Sequence, residues 1–207
     1  MAGLLDDLCA YAARDDHPAL VQAALVHAQF ETIHPFADGN GRTGRALIHV
    51  VLRRRGLAPR FVPPISLILA THADAYVKAL TAYRHPGLAD SAAASEGTRA
   101  WFALFAADMA RACADTVRFA DQLTDLEHQW RRKVGRVRRG SSVDLLLGVL
   151  PAAPVLTVAT ASELIGRSLQ KSNEAVARLV DAGVLTQTSI GRRNRAFEAR
   201  ISAKLEC

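Results

Sequence analysis

The sequence predicts a mainly α protein, with a helical domain over residues 1–135 and a small domain of helices and short strands over 136–207. Three observations lead there. Apolar residues recur at helical spacing in one stretch after another up to about residue 130, and no alternating strand pattern competes with them. Short β-type runs appear only later, at 155–158, 184–189 and 195–199. The charge divides as well: residues 1–130 carry 12 basic and 14 acidic side chains, whereas 131–207 carry 14 and 6, so the net +6 arises in the second part.

The elements follow in order. Leu4, Leu5, Leu8 and Tyr11 mark a first amphipathic helix that ends before Arg14. A second helix starts near Pro18, with Leu20, Ala24, His27 and Ala28 on one stripe and Val21, Leu25 and Phe30 beside it, and it is expected to be largely buried. His27 and His49 read first as hydrogen-bonded core histidines, and Glu31 first as a salt-bridge partner, with orientation of a neighbour as the alternative. A third helix has its first turn at Gly41 to Gly44 and runs on through the apolar stretch from Ala46 to Leu52, closed by Arg53, Arg54 and Arg55 at its negative end and by Gly56. Pro59 to Pro64 is a loop, Ala75 to Tyr83 a helix, and Ala89 to Gly97 a connection. From Thr98 the pattern of Trp101, Phe105, Met109, Cys113, Val117, Leu123 and Leu126 runs on as one long helix or a kinked pair.

Half the residues are hydrophobic and 22% are charged, which suits a globular chain with a real core. No apolar stretch approaches membrane-spanning length, and the amino terminus lacks the basic start of a secretory signal, so a cytoplasmic protein without a membrane partner is expected. Cys9, Cys113 and Cys207 are odd in number and not at zinc-ligand spacing, which predicts free thiols.

The chemistry is concentrated in His34-Pro-Phe-Ala-Asp-Gly-Asn-Gly-Arg-Thr-Gly-Arg45. Gly39 and Gly41 allow backbone turns barred to other residues, so successive N–H groups can point into one concavity. The helix that follows would bring its positive end to the same anion, and phosphate is the natural guest. His34 titrates near neutral pH and is the candidate general base. Asp38 offers hard oxygen to Mg²⁺, an ion commonly shared with substrate phosphates. Arg42 and Arg45 lie one helical turn apart, so both guanidiniums can reach one polyphosphate. Pro35 fixes the turn, and Phe36 is expected to plug into the core and anchor the loop.

At these residues the chain resembles the Fic family, whose signature His-x-Phe-x-Asp/Glu-Gly-Asn-Gly-Arg-x-x-Arg is matched at every fixed position. The stretch from His27 to His34 also resembles the helix before that signature. The resemblance implies a helical Fic-type fold and transfer of AMP from ATP to a Ser, Thr or Tyr hydroxyl of a target protein. It implies His34 as base, and Asp38 holding Mg²⁺ on the α- and β-phosphates. Gly39, Asn40 and Gly41 would bind phosphates through the backbone, with Asn40 adding its side chain. Arg42 would take the β-phosphate and Arg45 the γ-phosphate.

After the basic run from Arg131 to Arg139, read as a linker or exposed helix end, the order of elements resembles a winged helix-turn-helix, a module that follows the Fic domain in many family members. Its helices are expected at 143–150, at 160–165 with Thr160 or Ser162 as cap, and from Ser168 to Ala182. The last would be the recognition helix, with Gln170, Lys171 and Ser172 on its exposed front, and Arg192, Arg193 and Arg195 would form a basic wing. DNA is the partner this implies, and pairing on two half-sites would make a homodimer.

Two features of the family are not found: a β-hairpin flap before residue 34, and an inhibitory helix with Ser/Thr-x-x-x-Glu-Gly/Asn, to which Glu96-Gly97 comes nearest with Ala92 at the Ser/Thr position. Two functions of different class therefore stand. One is a protein adenylyltransferase, with removal of AMP also open. The other is a DNA-binding regulator whose nucleotide pocket senses or is inactive.

Overall fold

The computed structural model describes residues 2–85, 87–189 and 195–200. The chain is mainly α and divides into two compact units at Thr116/Val117. This division falls earlier than the 135/136 boundary read from composition, because Leu126 and Trp130 at the far end of a long helix belong to the second core.

The first unit contains α1 (Ala2–Ala13), α2 (Ala19–Ile33), α3 (Asn40–Arg54), α4 (Ile65–Thr71), α5 (Ala73–Tyr83) and the first half of α6 (Ala92–Val134). Helix α2 is buried nearly all round, with Ala23, Ala24, Val26 and Ala28 at the centre of the core. These small side chains let α3 lie close against it, and α2 and α3 form the most extensive helix pair of the unit. Trp101 of α6 is fully buried and donates its indole N–H to the Ala24 carbonyl at 3.1 Å. This satisfies the polar handle of the largest core side chain.

Two of the three arginines at the end of α3, Arg54 and Arg55, do more than close a helix. Gln22 of α2 is fully buried and donates to the carbonyls of Tyr11 at 2.8 Å and Arg14 at 2.7 Å. Its own oxygen accepts from Arg54 at 3.2 Å and Arg55 at 2.7 Å, and both arginines pair with Asp15. The far end of α3 is thus tied to the α1–α2 turn through one satisfied buried amide. Gln22→Leu should cost about 2 kcal/mol of stability by stranding these groups, a loss readable in denaturant unfolding.

Helix α6 differs from expectation at its start. Residues 92–97, read as a connection, are its first turns, and Ser91 caps it by accepting from the Ala94 N–H at 3.2 Å. With these turns included, α6 is a single 43-residue helix.

The second unit continues with α7 (Ser142–Val149), β1 (Val155–Thr157), α8 (Val158–Ile165), α9 (Leu169–Asp181), β2 (Leu185–Gln187) and β3 (Ala196–Ala199). The strands form one antiparallel sheet in the order β1-β3-β2, with Leu156 opposite Phe197 and Leu185 opposite Ala199. Leu146, Leu147, Leu150, Val176 and Leu179 fill its core. Helix α8 is capped by Thr157, not Thr160 or Ser162: its hydroxyl accepts from the Thr160 N–H, which starts the helix two residues earlier.

The basic run at 131–139 is anchored within this unit. Arg131 pairs with Asp144 at 2.6 Å and with Glu127 at 2.8 Å, while Arg178 donates to the Arg136 carbonyl at 2.8 Å. Asp144 also accepts from the Gly140 N–H, and this bond, followed by Arg131, holds its carboxyl below the usual 3.8. A depressed folded pKa contributes stability above the unfolded pKa and loses it as pH falls through the folded value. Asp144→Asn should therefore lower the melting temperature most at neutral pH, and the gap to wild type should close below about pH 4. Melts across pH 2.5 to 7 check this.

Candidate functional site

The twelve-residue motif forms the turn between α2 and α3. His34 ends α2 in the left-handed region, at φ 50° and ψ 56°, while its backbone N–H still donates to Phe30 at 2.9 Å. Its side chain is exposed. A non-glycine residue there is strained, and such strain concentrates at functional positions.

Asn40 holds the loop that follows. It is buried, accepts from the Phe36 N–H at 2.9 Å and donates to the Phe36 carbonyl at 2.6 Å. Both ends of its amide are thereby committed to loop backbone, so the side chain shapes the cradle from behind instead of facing it. Phe36 does not plug into the core: it is 51% exposed, with its ring 6.0 Å from that of Phe30. The amide staple of Asn40 anchors the loop in its place.

The glycines differ in their reasons. Gly39 caps α3 at φ 84°, a conformation that L side chains rarely adopt. Gly41 is helical, and its lack of a side chain matters for space: a Cβ there would meet the Arg45 guanidinium at 3.0 Å. A Cβ at Gly39 would likewise sit 3.5 Å from that of Arg42. Both arginines fold back toward the amino end of α3 over positions kept clear for them.

His34, Asp38, Gly39, Asn40, Gly41, Arg42 and Arg45, with Ala37, line one cavity of about 320 Å³. The structure brings together every residue assigned to the motif site. The first turn of α3, whose backbone N–H groups have no partner within the helix, lies there beside two guanidiniums, an arrangement with the charge and donors to hold a polyanion. Asp38 accepts from the Gly39 N–H at 2.6 Å and pairs with Arg42 at 3.2 Å, and both side chains of that pair are well exposed.

The residues assigned to DNA are less uniform. Gln170 and Lys171 are exposed on α9, where Ser168 caps the helix by accepting from the Lys171 N–H. Ser172 is fully buried, a correction to its placement on the exposed front. The helical period puts it on the stripe with Ala175, Val176 and Leu179, so it faces the core. Arg195 donates to the Asn173 side chain at 3.2 Å and its guanidinium lies over the Phe197 ring. Arg192 and Arg193 lie outside the described residues.

Glu31, read from the sequence first as a salt-bridge partner, is only 8% exposed and lies against Gly44. Gly44 was the available signal, since a glycine inside a helix is unfavourable unless something approaches its backbone closely.

Residues 1–52 match the family model described as the Fic/DOC family. "Protein adenylyltransferase fic-1" of Caenorhabditis elegans is 40% identical over 55 residues, which is 27% of this chain and 10% of that relative. "Protein adenylyltransferase Fic" of Drosophila melanogaster is 51% identical over 41 residues, 20% of this chain and 8% of that one. These matches take in a tenth or less of each relative's length. A crystal structure of a Fic family protein from Desulfovibrio desulfuricans G20 superposes with a TM-score of 0.49 at 18% identity, covering 96% of this chain and 55% of its own. Among the described residues no helix is long and apolar enough to cross a membrane.

Proposed function

We propose that the chain is a protein adenylyltransferase, moving AMP from ATP to a Ser, Thr or Tyr hydroxyl of a target protein. The observation that carries this reading is the convergence of His34, Asp38, Arg42 and Arg45 on one cavity at the positive end of α3. The names of the relatives, over the short stretch they share with this chain, point the same way.

In this reaction the target oxygen attacks the α-phosphorus in line. The new O–P bond forms as the bond from that phosphorus to the bridging oxygen breaks, pyrophosphate leaves with the electron pair, and His34 takes the hydroxyl proton. Arg42 and Arg45 bind the β- and γ-phosphates, and the backbone N–H groups from Gly39 to Gly41 line the chain's path, so positioning and fixed charge do the work. Arg42 leaves Asp38 to do so, at small cost because the pair is exposed.

Mg²⁺ fits this donor set in one mode. Asp38 is the single carboxylate lining the cavity, and the described residues contain no group of three or more His, Cys, Asp or Glu that could hold a metal. An ion bound mainly by substrate phosphates, with Asp38 as its protein ligand, matches the habit of Mg²⁺. It would supply charge neutralisation at the α- and β-phosphates.

Incubation with host extract, Mg²⁺ and ATP labelled at the α- or the γ-phosphate tests this. Protein-bound label from the α position alone, absent with His34→Ala, is expected. Label from the γ position would indicate phosphate transfer instead, and no label from either, with ATP still bound, would overturn the transferase reading.

A second reading is carried by the second unit. Helices α8 and α9 join at Gly166 in the left-handed region, strands β2 and β3 follow, and exposed Gln170 and Lys171 lie on the helix that holds Arg195. In this reading the unit is a winged helix-turn-helix that binds DNA, and the pocket senses nucleotide. DNA affinity should then fall steeply with salt, and Lys171→Ala and Arg195→Ala should each flatten the log–log salt slope by about 1. Ser172→Ala should leave that slope unchanged. Fluorescence anisotropy with duplex DNA between 50 and 200 mM salt, about the range where phosphate contacts are most visible, reads all three.

A further inference from the structure

Two side-chain atoms in the seam between α2 and α3 are buried and without a hydrogen-bond partner: Glu31 Oε1 and His27 Nδ1. Both face the same point. A Cβ built on Gly44 would lie 3.2 Å from His27 Nδ1 and closer still to Glu31 Oε1. Buried polar atoms are costly to leave unpaired, and an N–H at His27 Nδ1 is the donor the Glu31 carboxyl lacks.

The other ring nitrogen decides the assignment. His27 Nε2 lies 3.1 Å from the Tyr76 hydroxyl of α5, where donor and acceptor depend on the tautomer. If Tyr76 donates to Nε2, then Nδ1 carries the proton and can donate to Glu31 across Gly44, directly or through one water. The opposite tautomer would turn a bare nitrogen lone pair toward the carboxyl oxygen and leave both atoms unsatisfied.

We propose that Tyr76, His27 and Glu31 form one hydrogen-bonded chain that locks α2 to α3 at Gly44, with His27 as the neutral Nδ1–H tautomer and Glu31 as a positioning residue for the phosphate cradle. The surroundings suit it. Burial pushes the His27 pKa down to about 4, with Arg45 and Arg84 adding to the effect against a Gly44 backbone contact that opposes it, so the ring is neutral at pH 7. Burial, reinforced by Glu31, pushes Tyr76 up to about 12, so its hydroxyl keeps the proton it donates. The fully buried ring is also stacked on Trp101, with centroids 5.9 Å apart, which fixes its plane.

The position of the lock gives it its role. Glu31 precedes His34 by three residues, and Gly44 follows Gly41 by three, so the seam lies one turn behind each wall of the cradle. Holding Glu31 against Gly44 sets the spacing between the proposed base and the phosphate-binding turn. That catalytic consequence rests on the adenylyltransferase reading, whereas the tautomer does not.

The test is a two-bond ¹H–¹⁵N correlation spectrum of the ¹⁵N-labelled full chain at pH 7. A protonated Nδ1 and a bare Nε2 at His27 are expected. An Nε2–H tautomer, an imidazolium or an averaged pair of signals would overturn the chain. Glu31→Gln keeps an accepting oxygen and should preserve the signature, whereas Glu31→Leu removes the acceptor and should abolish it. Persistence of the signature in Glu31→Leu would overturn the role of Glu31. In AMP transfer, Glu31→Leu should lower kcat about tenfold or more with a smaller change in the KM for ATP, and Glu31→Gln should restore it. Wild-type kcat in Glu31→Leu would overturn the positioning role. A wild-type chain that transfers nothing counts against the adenylyltransferase reading alone, because the ring-nitrogen signals are read without turnover.

Discussion

Replacing His34 with alanine should reduce AMP transfer by about 10²- to 10⁴-fold, the usual contribution of a positioned acid–base group, while ATP affinity changes little. In the proposed reaction the phosphates would be bound by the two arginines and the turn, and His34 lines the cavity from the end of α2. The same position also carries a stability prediction. Among the described residues His34 is the one non-glycine at positive φ. Left-handed backbone costs an L residue about 1–2 kcal/mol, whereas glycine adopts it freely at an entropic cost of about 0.5–1 kcal/mol. His34→Gly should therefore be as inactive as His34→Ala but at least as stable as that variant, by up to about 1 kcal/mol. Thermal melts beside the labelling assay separate the two effects. A glycine variant clearly less stable than the alanine variant would contradict the strain assigned to this residue.

Gly97→Ala should destabilise the first unit by about 3 kcal/mol, the upper end of what overpacking a close contact costs. A Cβ at Gly97 would collide with the Ala82 carbonyl oxygen, and the next nearest atoms are also α5 backbone, so no flexible side chain can yield. Helices α5 and α6 would have to separate. Gly148→Ala is the control of opposite sign. That glycine is exposed near the end of α7 with nothing within 4 Å of the added carbon, so alanine should stabilise by about 0.5–1 kcal/mol through helix propensity alone. Denaturant unfolding of the two variants checks both signs. Equal behaviour would mean that the α5–α6 approach at Gly97 does not limit packing.

Glycine shows where sequence reading succeeds and where it stops. At Gly39 the local reading is sufficient, because the residue caps a helix in left-handed backbone. Gly41 looks equivalent in the sequence, yet it is helical and clears space for the Arg45 guanidinium. Gly44 and Gly97 serve contacts with α2 and α5, which no neighbour in sequence announces. Ser172 and Phe36 erred in opposite directions for related reasons. The helical phase buried a polar side chain expected outside, and a buried amide secured a loop that the aromatic ring was expected to anchor.

By itself the sequence determined what depends on short range. Periodicity placed the helices, turn chemistry placed several of their ends but not the starts of α6 and α8, and twelve consecutive residues specified a basic, glycine-bearing turn that lines one cavity, because their spacing alone sets which groups share a turn. Only the tertiary structure decided what depends on packing between distant segments. Gln22 ties α3 to the α1–α2 turn, Leu126 and Trp130 draw the end of α6 into the second core, and Glu31 and His27 meet at Gly44. Each results from which helix faces which, and that is set by the summed burial of many side chains and not by any local pattern.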